Sequence, residues 1–264
     1  MPNKSEYGPW AVVAGGSEGV GASFAHRLAD AGINLVLIAR SPGPLNETAD
    51  RVRARGVEVR TLELDLLDPG ALAAVRAVTD GLEVGLLIFN AGANSYGHEF
   101  VTGDLARVQG VLDLNITAQL ALTHHFGALM KDRGRGGILL VGSLAGYLGQ
   151  AQISVYSAAK AFSRVFAEGL WLELRPYGVH VLELVLGVTR TPAMERAGLR
   201  MDLPGLNVAE PDDIAREGLE HLADGPVRVA GGNAGAAEKR SGFPRADLVI
   251  GAHEASKRLL PASS

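Results

Sequence analysis

The feature that most constrains this chain is an alternation. Seven short runs rich in Val, Ile and Leu, at residues 10–15, 33–39, 57–64, 85–92, 136–142, 179–186 and 226–231, are separated by longer amphipathic stretches. A strand, a helical crossover and a second strand make a parallel pair, because the helix returns the chain to the same end of the sheet. The helical stretches are read at 20–31, 43–55, 69–80, 104–132, 152–175 and 211–223. "DPG" at 68–70 and "EPDD" at 210–213 put proline and acids into first turns, where the helix dipole favours them. The pattern predicts an α/β, Rossmann-like doubly wound sheet of about seven parallel strands with helices on both faces, in a single domain. No repeat or low-complexity linker divides the chain. After residue 231 the texture turns Gly- and Ala-rich and then charged, so 1–231 reads as the main domain. Residues 232–264 read as a C-terminal extension, part of the same domain or an interface, with a short helix at about 245–260.

A chain of 264 residues with 47% hydrophobic content can bury one large core. The net charge of −4 supplies no basic field, so no nucleic acid partner is expected and a small-molecule ligand fits better. Absence of cysteine excludes disulfides and thiolate zinc sites and suits a cytoplasmic location. No apolar run reaches the roughly 20 residues of a bilayer span, so none is expected. The histidines show no metal-ligand spacing, and His124 and His125 point to different faces of a helix, so no catalytic metal is expected.

The first strand runs into "AGGSEGVG", with Gly15, Gly19 and Gly21 spaced as GxxxGxG before a helix. Glycines there allow a sharp turn and let backbone N–H groups approach a pyrophosphate at the positive end of the helix. The same residues satisfy GxSxG, the elbow of serine hydrolases, with Ser17 as nucleophile; too little chain precedes it to supply the usual oxyanion loop. An acid about 20 residues beyond such a turn would grip a ribose diol. This chain has Ala39, Arg40 and Ser41 instead, and Arg40 with Ser41 suits a 2′-phosphate. NADP is therefore preferred, with NAD possible. Glu18 in the turn would oppose that phosphate if it pointed inward, and Arg40 also reads as an ordinary surface cation.

"YSAAK" places Tyr156 one helical turn before Lys160 with only small residues between. Lowering a phenol by three pKa units takes about 4 kcal/mol. A cation at about 4 Å in an effective dielectric of about 20 supplies that much. Ser143 ends the fifth strand, where open α/β sheets bind ligands, so its hydroxyl could share a carbonyl oxygen with Tyr156. It could equally cap a turn.

Together "AGGSEGVG", "FNAG" at 89–92, Asn115 in "LDLNITAQ", Ser143, "YSAAK" and "LGVTRTP" at 186–192 resemble the short-chain dehydrogenase/reductase family over about residues 10–230. The resemblance implies a hydride-transferring oxidoreductase with Ser143, Tyr156, Lys160 and Asn115 as its catalytic tetrad, Asn115 acting through a backbone-held water. It implies that Gly15, Ser17, Glu18, Gly19, Val20 and Gly21 form the turn under NADP, with Arg40 and Ser41 at the adenosine phosphate. Asp65 and Leu66 would lie beside adenine, and Asn90, Ala91 and Gly92 under its ribose. Gly187, Val188, Thr189 and Thr191 would flank the nicotinamide, and Tyr156 and Lys160 would also touch the cofactor. It further implies a homodimer or homotetramer, for which Leu120, Phe126, Phe166 and Trp171 are candidate contacts; burial within the monomer would explain them too. The chain departs from the family at Ala14 for threonine, Phe89 for the first asparagine of NNAG, Leu186 for proline, and in lacking Asp-Gly-Gly after the last strand. Ser95, Tyr96, Leu144, Tyr147, Leu148, Gln150 and a 192–206 loop with Met194, Leu199 and Met201 read as the substrate wall, suited to a hydrophobic ketone, acyl chain or ring compound. Two other classes stay open: a catalytically silent NADP(H)-binding regulator, and the serine hydrolase.

Overall fold

The computed structural model describes residues 2–92 and 96–256. Ser95, expected in the substrate wall, lies outside the described residues, as do 257–264. After a short helix α1 (Lys4–Tyr7) the chain alternates as β1 (Trp10–Ala14), α2 (Gly19–Asp30), β2 (Asn34–Ala39), α3 (Pro42–Arg53), β3 (Val59–Glu63), α4 (Ala71–Thr79) and β4 (Val84–Phe89). It continues through α5 (Leu105–Leu112), α6 (Ala118–Arg133), β5 (Gly136–Ser143), α7 (Ser154–Leu174), β6 (Val179–Leu186), β7 (Val188–Thr189), α8 (Pro192–Arg196) and β8 (Val208–Ala209). It closes with α9 (Pro211–Glu220), β9 (Val227–Val229), α10 (Ala234–Ser241) and α11 (Arg245–Ser256).

Seven strands form one parallel sheet in the order β3-β2-β1-β4-β5-β6-β9. Successive strands leave β1 first toward one edge and then, from β4, toward the other. The reversal opens a crevice at the carboxyl ends of β1 and β4, where a ligand can enter without displacing a helix. Strand side chains alternate between two apolar layers. Leu35, Leu37, Leu139 and Leu184 pack with Phe24 and Leu28 of α2 and Ile214 and Leu219 of α9. Val12, Val36, Leu87, Ile138 and Val181 pack with Leu122, Phe126 and Met130 of α6. Burying each such side chain contributes about 1.5–3 kcal/mol.

Several expectations need correction. The stretch 104–132 is two α-helices joined by one π-helical turn, Asp113–Thr117. There the extra residue lets the Asn115 amide Nδ2 donate to the Val111 carbonyl at 2.9 Å. Phe126, a candidate subunit contact, is 1% exposed inside the monomer core. The Gly- and Ala-rich stretch after 231 contains α10, which hydrophobic periodicity missed because its buried face is small, with Ala237 inside. The β7–β8 pair was also missed. It pins the two ends of the 190–207 loop together, Val188 opposite Val208 and Thr189 opposite Ala209. Among the described residues no helix is long and apolar enough to cross a membrane.

Candidate active site

The glycine turn is built by close backbone approach. Gly15 has φ +80°, and a Cβ there would lie 2.8 Å from the Ala91 nitrogen; a Cβ on Gly21 would lie 1.9 Å from the Gly15 carbonyl oxygen. Any larger residue would push the helix away from the strand. Asn90 sews the turn to the end of β4, its Nδ2 donating to the Gly15 carbonyl at 2.9 Å, while the Asn90 and Ala91 amides donate to the Ala14 carbonyl. Thr48 of α3 holds the loop from the other side, its hydroxyl donating to the Ser17 carbonyl at 2.8 Å. Val20 is buried beneath, so the start of α2 and its free N–H groups are fixed in the crevice.

At the end of β2, Arg40 is exposed with Nη1 3.9 Å from Asp65 Oδ2. Ser41 precedes α3, and Leu66 is half-buried against the second apolar layer. Glu18, the acid that would repel a phosphate, is engaged by Arg196 of α8, whose Nη1 donates to Oε2 at 3.0 Å. This ion pair joins the glycine turn to the loop after β6 and offsets the Glu18 charge. Sequence reasoning missed Arg196 because it lies 178 residues away in the chain.

The reactive groups converge at the carboxyl end of β5. The Ser143 hydroxyl stands beside the Tyr156 phenol, whose ionised form it favours, and accepts from the Ala145 amide at 3.1 Å, so it both caps a turn and meets the tyrosine. Lys160, 4% exposed, reaches under the tyrosine, with Nζ 5.7 Å from the ring centre and donating to the Val141 carbonyl at 3.0 Å. Gly92 explains how the strand ends meet: a Cβ there would lie 2.9 Å from Lys160 Nζ and 2.8 Å from Asn115 Oδ1. Asn115 is 1% exposed and so is not the surface residue that mid-helix asparagine can be.

Burial lowers Lys160 to about 8, opposed by the charge of Glu183. Burial also pushes the Tyr156 phenol above its ordinary range, with the Ser143 hydroxyl opposing the rise. The expected net lowering of the phenol by the nearby ammonium is therefore corrected. Desolvation of the hydroxyl outweighs the help it receives, and the lysine gives a hydrogen bond to the backbone instead.

Toward the nicotinamide end, Gly187 is pressed against Asn233, where a Cβ would lie 2.6 Å from Nδ2. Asn233 was not foreseen; it stands in the "VAGGNAG" stretch that replaces the family's Asp-Gly-Gly. Val188 and Thr189 form β7, and Thr191 caps α8 by accepting from the Met194 amide at 3.3 Å. A cleft in front of Tyr156 is lined by Tyr96, His98, Val111, Gln152 and Ile153. Of these only Tyr96 was anticipated. Gln152 carries the one left-handed backbone among described non-glycine residues, φ +64°, a local irregularity four residues before the tyrosine. Leu144 and Leu148, expected in the wall, are buried, Leu144 packing with Val185 and Ala237.

Residues 9–201 match the family model for short chain dehydrogenases. The chain is 29% identical over 240 residues to a 7beta-hydroxysteroid dehydrogenase of Collinsella aerofaciens, covering 88% of this chain and 89% of that protein. It is 34% identical over 206 residues to a very-long-chain 3-oxoacyl-CoA reductase of Podospora anserina, covering 74% of this chain and 59% of that one. A short-chain dehydrogenase from Sphingobium yanoikuyae, solved in complex with NADPH, superposes with a TM-score of 0.77 at 32% identity, over 97% of this chain and 98% of that chain. The glycine crevice, the strand order and these likenesses agree, and the serine hydrolase alternative falls: the chain belongs to the short-chain dehydrogenase/reductase family, NAD(P)-dependent oxidoreductases acting on CH–OH groups.

Proposed function

We propose that this protein reduces a hydrophobic ketone of the ring or acyl-chain type with NADPH, or runs the reverse oxidation, with Tyr156 as the proton donor. The observation that carries the reading is the convergence of Ser143, Tyr156 and Lys160 beside the close-packed glycine turn. The residues present fit the cofactor: Gly15 and Gly21 leave backbone where side chains would intrude, and the amide end of α2 faces the crevice for a pyrophosphate. Arg40 and Ser41 would take a 2′-phosphate. Gly187 through Thr191 and the 90–92 strand end would hold the remainder. When bound, NADPH supplies a hydride to the carbonyl carbon.

The chain's own part is proton handling. A phenol raised by burial keeps its proton at neutral pH, which suits an acid waiting for an alkoxide oxygen to develop. Ser143 orients that oxygen by donating a hydrogen bond. The Lys160 ammonium stabilises the phenolate left behind, and the buried Asn115 turn stands beside it for proton resupply. The Tyr96, Val111 and Ile153 cleft excludes water from the reacting carbon. The exposed apolar side chains on α7, Val165 and Leu172, would seat a second copy in a dimer or tetramer.

Tyr156→Phe is the test. NADPH binding, followed by cofactor fluorescence, is expected to persist, while turnover of a panel of ring ketones and 3-oxoacyl thioesters falls by about 10²–10⁴-fold. Full turnover in the variant would end the assignment. NADPH binding by the unaltered protein with no oxidation across the panel would favour the regulator.

A further inference from the structure

We propose that Glu183 is a positioning residue for Lys160, its carboxylate holding the lysine ammonium charged beneath the reaction site as the solution becomes alkaline. The inference rests on the reading of Ser143, Tyr156 and Lys160 given above. Glu183 lies within β6 at 1% exposure, on the face where Val179 and Val181 pack in the apolar layer. The neighbouring strand makes room for it. Gly142 of β5 would, with a Cβ, come within 2.4 Å of Glu183 Oε1, so the glycine before Ser143 and the carboxyl of β6 fit only as a pair.

The carboxyl is also addressed from above. Gln119 Nε2 donates to Ser163 Oγ at 3.1 Å, and the Ser163 hydroxyl stands beside the Glu183 carboxyl, where it favours the ionised form. Ser163 and Lys160 stand three residues apart on the same face of α7. The other oxygen, Oε2, is buried without a hydrogen-bond partner among the described residues. Charged and titratable groups facing Glu183 are Lys160, Arg164 and Glu168 from α7, and Tyr147 from the turn after β5. Arg164 is shared, lying over the Tyr147 ring at 4.6 Å and 3.9 Å from Glu168. Lys160 exerts the strongest attraction on the carboxyl, and Glu183 is the charge that opposes loss of the lysine proton. Burial pushes the acid up to about 8 and the lysine down to about 8. Gly142, against which Glu183 Oε1 lies, directly follows Val141, whose carbonyl accepts from Lys160 Nζ at 3.0 Å, so the carboxyl stands next to the lysine's anchor and its charge falls on the ammonium.

Glu183→Gln keeps the shape and removes the charge. Lysine carrying a Cε label gives a direct reading by NMR, since the other lysines are only Lys4, Lys131, Lys239 and Lys257. The Lys160 titration is expected to move down by about one pH unit or more. The alkaline limb of ketone reduction should move with it, leaving the rate below neutral pH and NADPH affinity near those of the unaltered protein. Ser163→Ala, which makes the acid harder to ionise, should shift the same limb in the same direction by less, and it decides the matter if the glutamine variant does not fold. An unmoved Lys160 titration, or a rate lowered equally at every pH, overturns the proposal. Retained turnover in Tyr156→Phe would defeat the catalytic reading separately, and the NMR titration would still report whether Glu183 governs Lys160.

Discussion

In the proposed function one side chain, Arg40, would set the cofactor preference while being almost unattached. It is exposed, and its contact with Asp65 is long at 3.9 Å. Surface pairs of this kind contribute about 0–1 kcal/mol, so little opposes the guanidinium turning toward a phosphate. A charge-assisted hydrogen bond to an ionised group is worth about 1.5–3 kcal/mol. Arg40→Ala is therefore expected to raise the KM for NADPH by about 10–100-fold and leave that for NADH nearly unchanged, with stability unaffected. Parallel steady-state measurements with both cofactors check this. Equal effects on the two would remove Arg40 from the phosphate and return it to the ordinary surface. Glu18 would not cancel such a preference, because Arg196 already answers its charge.

At the scale of elements, the strand-turn-helix unit at residues 10–30 was legible because each of its glycines has a steric reason. Gly21 is the tightest: its missing Cβ lies 1.9 Å from the Gly15 carbonyl oxygen. Gly21→Ala should force α2 away from β1, abolishing NADPH fluorescence enhancement and lowering Tm, whereas an alanine that bound NADPH normally would show that the turn has slack. The five inner strands β2, β1, β4, β5 and β6 were readable for a similar reason, since buried parallel strands are continuous aliphatic runs, whereas the edge strands β3 and β9 mix Arg with Val and are only partly buried. What escaped reading depends on contacts between distant segments. The π turn at Asp113–Thr117 leaves no mark in apolar spacing, and only the awkwardness of Asn115 in a helix hinted at it. Asn233 against Gly187 and Arg196 against Glu18 are likewise pairings that no local pattern encodes. Glu183 was passed over inside "VHVLELVL" because a single acid does not spoil a strand signal, and nothing in the run shows that it is 1% exposed.

For the molecule as a whole, the same carboxyl couples stability to pH. The C-terminal helices close over this region: Arg240 Nη1 donates to the Leu144 carbonyl at 3.0 Å and Arg245 Nη2 to the Tyr147 carbonyl at 3.2 Å. Glu183 in the folded chain titrates near 8 against an ordinary 4.5, so the folded state keeps a proton that the unfolded chain gives up. Its contribution to stability is fully present below the unfolded value and is lost as pH rises through about 8. Lys160 acts oppositely over a higher range: its folded value near 8 lies below the ordinary 10.5, so its contribution is present above 10.5 and is lost as pH falls through 8. Between pH 5 and 8 only the acid's contribution changes appreciably. The unaltered protein is therefore expected to lose Tm over that window relative to Glu183→Gln, which lacks the carboxyl and whose further-lowered Lys160 can only widen the gap as pH rises. Each kcal/mol corresponds to about 2–4 °C in a domain of this size, so the divergence should reach several degrees in thermal melts. Exposed carboxylates and histidines are common to both proteins and cancel in the difference. A Tm gap that stays constant from pH 5 to 8 would mean that the carboxyl is hydrated in solution, and would remove its charge from the account of Lys160.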